Sequence, residues 1–173
     1  MKNDITVDSP IFTTEFDQFF VKYSGKHFGP DFDWRWFKAQ TIAESGLDPG
    51  AVSHCGARGL MQIMPETFKE IRKANPWMVS SEDPEQNIAA GIYYDHKLYR
   101  MWSGPRPEID RLAFMFTSYN AGAGNILKAQ KLCAANPNLW ASIVAVAKTV
   151  KGWRYEETLG YVSKIMSLMS IKI

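Results

Sequence analysis

Glu44 closes the apolar run in "AQTIAESGLDPG", residues 39–50, and a glycine follows two positions later. One helical turn back stand Gln40 and Thr41, with Phe37 further along a similar face. A carboxylate in the last turn of a helix meets the negative end of the helix dipole. Partial burial acts in the same direction, and together they raise the pKa. A carboxyl group that keeps its proton near neutral pH can serve as a general acid. The competing reading is a surface glutamate that happens to end a helix.

Three further stretches carry side chains suited to a ligand. "GARGLMQIMPETF", residues 56–68, has turn-permitting Gly56 and Gly59, the amide of Gln62, and flexible apolar surface from Met61 and Met64. It reads either as a groove wall or as a loop re-entering the core before a helix at Pro65. "SYNAGAGN", residues 118–125, pairs the phenol of Tyr119 with the amide of Asn120, apt for a polyhydroxylated ligand, in a place where Asn and Gly also cap helices. "YEETLGYVSKI", residues 155–165, sets Glu157 and Tyr161 four apart on one helix face. Their alternative is a solvated acidic first turn above a packed tyrosine ring. His54 and Cys55 are adjacent, but no third partner for a nucleophilic triad stands at a recognisable spacing. His27, His54 and His96 form no ligand pattern, so neither a metal nor another cofactor is expected.

The elements that must position these groups are helical. "SPIFTTEFDQFFVKYSG" predicts a helix from Ser9 and Pro10 to Gly25, and "DFDWRWFKAQTIAESG" another from Asp33 to Gly46. Helices follow from Pro65, from Asp83 to Gly104 and through "PEIDRLAFMFTSYNAG" to Gly122, then at roughly 123–135, 138–149 and 154–171. Alternating runs joined by tight turns are lacking, and the fold is read as all-α. "LDPGAVSHCGARG", residues 47–59, is a loop.

A chain of 173 residues without repeat or linker reads as one domain, with 46% hydrophobic and 22% charged residues, as in a globular protein. A net charge of +2 without a basic run argues against nucleic acid as a partner. No apolar run approaches the ~20 residues of a membrane span, and the first residues lack the pattern of a signal peptide. Two cysteines, Cys55 and Cys133, form one disulfide or stay two thiols.

Taken in order, "AESGLDPGAVSHCGARGLMQIMPETF", "DPEQNIAAGIYY", "SYNAGAGNI" and "EETLGYVSKI" resemble the soluble lytic transglycosylase family, which shares its fold with goose-type lysozymes. The resemblance covers residues 33–168, with 1–32 as an N-terminal helix and lead-in to a single catalytic domain, 1–173. It implies a lysozyme-like helical domain that binds the glycan strands of peptidoglycan. Glu44 matches the sole catalytic acid and base, Ser45 the serine beside it, and Met61 and Gln62 groove residues. Tyr119 and Asn120 match the pair lining the site, and Glu157 and Tyr161 a late substrate-contacting segment. Ser118 stands where alanine is usual and Leu159 where arginine is frequent.

The resemblance also implies the chemistry: cleavage between N-acetylmuramic acid and N-acetylglucosamine with a 1,6-anhydromuramoyl end, no cofactor being needed. A goose-type lysozyme hydrolysing the same bond would need a further carboxylate, for which Asp48 and Glu66 are nearby in sequence. A non-catalytic glycan-binding or assembly component is the third reading. A monomer acting in the periplasm is expected, either a phage endolysin made in the host cytoplasm or a mature form lacking its signal.

Overall fold

The computed structural model describes residues 5–172. Among them stand eight helices: α1 (Asp17–Phe28), α2 (Arg35–Ser45), α3 (Pro65–Ala74), α4 (Pro84–Met101), α5 (Glu108–Ala121), α6 (Ala123–Leu132), α7 (Trp140–Ala147) and α8 (Tyr155–Leu168). The only β-type pairing among the described residues is two isolated bridges inside the loop after α2, Val52 with Arg58 and Arg58 with Ile63. The chain divides into two compact units, one of residues 5–94 and 165–172, the other of residues 95–164.

In the first unit, α1 and α2 pack through aromatic rings. Phe28 lies 5.1 Å from Phe37 and 4.6 Å from Phe32, centroid to centroid, and Phe20 and Phe37 are fully buried. An ion pair is built into this packing: Lys38, 3% exposed, reaches Asp17 at 2.8 Å. α3 follows the expected grammar, with Pro65 at its first turn and Phe68 and Ile71 on its buried face. α4 is capped as the sequence suggests, because the Gln86 N–H donates to Asp83 Oδ1 at 2.9 Å.

The first helix departs from expectation at both ends. Residues 9–16 form turns, in which the Ser9 hydroxyl accepts from the Thr6 N–H at 2.8 Å, and α1 starts only at Asp17. Gly25 lies inside α1; the stop comes at Gly29, whose φ of 99° is costly for other residues, with Pro30 behind it. Burial of Phe20 and Tyr23 on the same helix outweighs the roughly 1 kcal/mol that a glycine costs inside a helix.

In the second unit, α5 is the central element, with every residue from Leu112 to Ser118 buried. Phe114 meets Trp102 edge-on at 5.1 Å and Trp140 at 6.1 Å. The Arg106 guanidinium lies 4.2 Å from the Phe114 ring centroid and donates to Asn138 Oδ1 at 3.1 Å. α7 is anchored where its first N–H, that of Trp140, donates to Asp110 Oδ2 at 3.2 Å.

Candidate functional site

Glu44 occupies the last turn of α2 and is half-buried. That turn contains no basic residue to offset the carbonyl ends of the helix. The helix stops because Gly46 and Leu47 both take positive φ, 68° in each case. Gly46 does so at no steric cost, closing its N–H onto the Ile42 carbonyl at 3.1 Å. Leu47 is strained there, and its burial at 6% exposure supplies the compensation. The chain therefore turns sharply away directly behind Glu44 and Ser45.

The loop that follows is knitted to itself and to the helix. Gly59 N–H donates to the Ala51 carbonyl at 2.9 Å, and Arg58 and Ile63 exchange backbone bonds of 3.1 and 3.0 Å. Ser45 donates its hydroxyl to the Leu60 carbonyl at 2.7 Å, which ties residue 60 to the turn bearing Glu44. A ligand could meet Ser45 only through its lone pairs while that bond stands. Gln62 has φ of 46°, uncommon for a residue with a side chain. Both of its amide hydrogens are spent on the Ala51 and Gly59 carbonyls, at 3.1 and 2.9 Å, so the amide oxygen is the group left for a ligand.

Met61 has a different place from the one its type suggests. It is 0% exposed, and a Cβ added at Gly91 of α4 would fall 2.3 Å from its sulfur, so it packs directly on that glycine. The exposed methionine of the segment is Met64, at 42%. Beneath Met61 lies Asn87, whose role was not legible in the sequence. Its Oδ1 accepts the Met61 N–H at 2.8 Å while Nδ2 donates to the Arg58 carbonyl at 3.0 Å and the Ser81 carbonyl at 2.8 Å. This one buried amide satisfies three backbone groups from two segments. It also explains Gly59, where a Cβ would stand 2.5 Å from Asn87 Nδ2.

The second unit gathers the later residues. Asn120 and Glu157 line one cavity of about 230 Å³ together with Asn125, Trp153, Arg154 and Thr158. Arg154 Nη2 pairs with Glu157 at 2.7 Å, and Asn125 Nδ2 donates to the Ala121 carbonyl at 2.8 Å. Buried Thr158 accepts from the Trp153 indole N–H at 3.1 Å, fixing the floor of this cavity. Asn125 closes the "SYNAGAGN" stretch, while Trp153 and Thr158 carry no local signal in the sequence. Tyr119 is half-buried, and Tyr161 is 9% exposed, packed as a ring.

Ser118, which stands where alanine is usual, has a structural use. Its buried hydroxyl donates to the Phe114 carbonyl at 2.7 Å and accepts from the Trp102 indole N–H at 2.9 Å. Ser118→Ala orphans that indole N–H, which is expected to cost about 1–3 kcal/mol in urea denaturation. His96 is a second check on this unit. Burial first, then Arg100 and Arg111, hold its pKa below the ordinary 6.5. Stability tied to neutral His96 is present above that value and lost as pH falls towards the lowered one. Thermal melts between about pH 7 and 5 are expected to lose less stability in His96→Gln than in the wild type.

The remaining candidates carry less. Cys55 and Cys133 are both free thiols. Cys55 Sγ contacts His54 Nε2 at 3.2 Å, and burial pushes the Cys133 thiol up while it donates to the Ser142 carbonyl at 3.3 Å. Among the described residues no group of His, Cys, Asp and Glu could hold a metal ion, and no helix is long and apolar enough to cross a membrane. Asp48 accepts the Gly50 N–H at 2.8 Å in its own turn, and Glu66 lines a separate cleft with Arg58, Lys69 and Arg72.

Comparison with known proteins gives the family and the fold. The transglycosylase SLT domain family matches residues 29–138. The membrane-bound lytic murein transglycosylase F of Desulfosudis oleivorans is 35% identical over 135 residues, covering 75% of this chain and 29% of that protein. Its namesake from Shewanella sediminis is 31% identical, covering 90% of this chain and 32% of that one. This chain thus spans about a third, or less, of the length of those relatives. The crystal structure of the 70 kDa soluble lytic transglycosylase of Escherichia coli superposes with a TM-score of 0.68 at 26% identity, over 91% of this chain and 24% of that one. An inactive mutant of the lytic transglycosylase Slt from Pseudomonas aeruginosa gives 0.71 at 23% identity, over 91% and 24%, a likeness of fold. The eight helices are therefore the lysozyme-like all-α fold the sequence suggested, and the chain belongs to the transglycosylase SLT domain family.

Proposed function

We propose that this chain is a peptidoglycan lytic transglycosylase domain in which Glu44 is the sole general acid and then the general base. The observation that carries the reading is the position of Glu44: half-buried, in a helix-terminal turn without a cation, and backed by the strained Gly46–Leu47 turn. The carbonyl ends and the burial both act against the carboxylate, which is the direction a general acid needs. The protonated carboxyl donates to the oxygen between N-acetylmuramic acid and N-acetylglucosamine. The muramoyl N-acetyl group assists from the opposite face, in the place of a second carboxylate.

Glu44, now ionised, takes the proton of the same sugar's 6-hydroxyl as that oxygen attacks C1. The attacking hydroxyl is intramolecular, with an effective molarity of up to ~10⁵ M or more, and so outcompetes water. The product carries a 1,6-anhydro ring, and no water is consumed. The Gln62 amide oxygen and the side chains of Tyr119, Asn120 and Glu157 supply hydrogen-bonding groups to the glycan. Ser45 fixes the backbone at residue 60, and Met61 and Tyr161 are packed each within its own unit. The test is mass spectrometry of muropeptides after digestion of purified peptidoglycan. Products lighter by one water than hydrolysed standards support the reading, and reducing ends bearing that water assign the chain to hydrolysis.

Hydrolysis has less support. Asp48 accepts from its own turn, and Glu66, exposed beside Lys69, lines a cleft that Glu44 does not border. The proposed setting is the bacterial cell wall outside the cytoplasm, with the chain acting as a monomer and without nucleic acid. A phage endolysin and a mature wall enzyme both fit.

A further inference from the structure

Trp77 lies outside every element assigned above. It sits in the turn after α3 and is 44% exposed, although its neighbours on either side are fixed. Buried Asn75 donates from Nδ2 to the Ile71 carbonyl at 3.1 Å, and the N–H of buried Met78 closes onto the Asn75 carbonyl at 3.0 Å. The indole stacks on Tyr23, with centroids 6.0 Å apart and planes 10° from parallel. Tyr23 is immobilised in turn: it is 3% exposed and its hydroxyl donates to Glu85 Oε1 at 2.8 Å, where Lys22 also binds at 2.7 Å. The Lys26 ammonium lies 6.0 Å from the indole centroid, exposed and with no ion-pair partner among the described residues. The indole N–H likewise meets no acceptor among the described residues.

Leaving a tryptophan this exposed forfeits burial, yet its stacking partner and its turn are rigid. A preorganised aromatic face loses little entropy when a flat apolar ring settles on it. A pyranose has such a face, formed by its axial C–H groups, and hydroxyls at the rim for an indole N–H. The charges narrow the choice. Glu85 is spent on Tyr23 and Lys22, which leaves Lys26, over the indole and without an ion-pair partner among the described residues, suited to a carboxylate attached to the sugar. We infer that Trp77, with Lys26 beside it, is a second glycan-binding platform that holds an acidic pyranose of the muramic acid type away from the bond being cut. The inference rests on the peptidoglycan reading for its ligand. A surface anchor of this kind keeps an enzyme on an insoluble polymer between cleavage events by raising effective concentration.

The experiment uses the Glu44→Gln protein, so that the wall is not digested, in co-sedimentation with intact sacculi. Adding Trp77→Ala is expected to weaken binding about three- to tenfold, in line with one aromatic contact, whereas Trp77→Phe keeps most of it and Lys26→Ala loses part. Unchanged melting curves exclude misfolding as the cause. In parallel, the Trp77 indole N–H resonance, identified by its absence from Trp77→Phe, is followed by NMR during titration with the disaccharide of N-acetylglucosamine and N-acetylmuramic acid. A shift larger than that produced by uncharged chitobiose supports the platform. Equal sedimentation of Trp77→Ala, or a Trp77 signal that ignores the disaccharide, overturns it. If the Glu44→Gln protein does not sediment with sacculi at all, the peptidoglycan reading fails, and the titration still decides the platform by itself.

Discussion

Glu44→Gln is expected to abolish release of anhydromuropeptides while leaving the fold intact. The amide matches the carboxyl in volume, so packing at the end of α2 is kept, but it can neither donate a proton to the leaving oxygen nor take one from the 6-hydroxyl. A positioned acid or base contributes typically ~10²–10⁴-fold. On the proposed mechanism one residue serves both steps, and the loss is then expected to reach at least the upper part of that range. The same substitution removes a half-buried acid facing the negative end of a helix without a cation in its last turn. Thermal stability is expected to stay within about 1 kcal/mol of the wild type. The pairing of an inactive enzyme with undiminished stability separates catalysis from structure. A variant that cleaves sacculi as fast as the wild type would remove Glu44 from the mechanism.

Asn87→Ala is expected to be the most damaging substitution away from Glu44. It orphans three backbone groups at once: the Met61 N–H and the carbonyls of Arg58 and Ser81. Unsatisfied buried groups cost about 1–3 kcal/mol each, and partial access of water to the loop reduces the sum, so about 3–5 kcal/mol in urea denaturation is expected. That is a large fraction of the 5–15 kcal/mol typical of a whole domain. Activity should fall with it, because residue 60 is the point at which Ser45 ties the loop to the turn bearing Glu44. Asn87→Asp gives the sharper test. The carboxylate still accepts from Met61 but cannot donate to either carbonyl, so amide exchange at Met61 should remain slower than in Asn87→Ala while stability stays low. A melting point within a degree or two of the wild type in Asn87→Ala would show that the loop is held by other means.

Some of this was fixed locally, and some was not. The helical period, the prolines at helix starts and the glycines at helix ends marked most of the eight helices, because those signals act within one or two turns of chain. The last-turn position of Glu44 was legible for the same reason, and so was the Asp83 cap of α4. Gly25 misled because its meaning depends on burial of Phe20 and Tyr23, which no local signal reports. Met61, Gln62 and Ser45 were singled out by type and by resemblance, but their orientations were not in the sequence. Met61 turns to the core because Gly91 leaves room for its sulfur, and Gln62 turns its N–H groups inward because the left-handed backbone brings the Ala51 and Gly59 carbonyls within reach. Asn87 looked like one polar residue on a long helix until the fold brought the distant 58–61 segment to its amide. A sequence states which groups exist and which stretches curl into helices; which polar groups are left orphaned, and which residue answers them, is decided only when segments far apart in the chain are packed together.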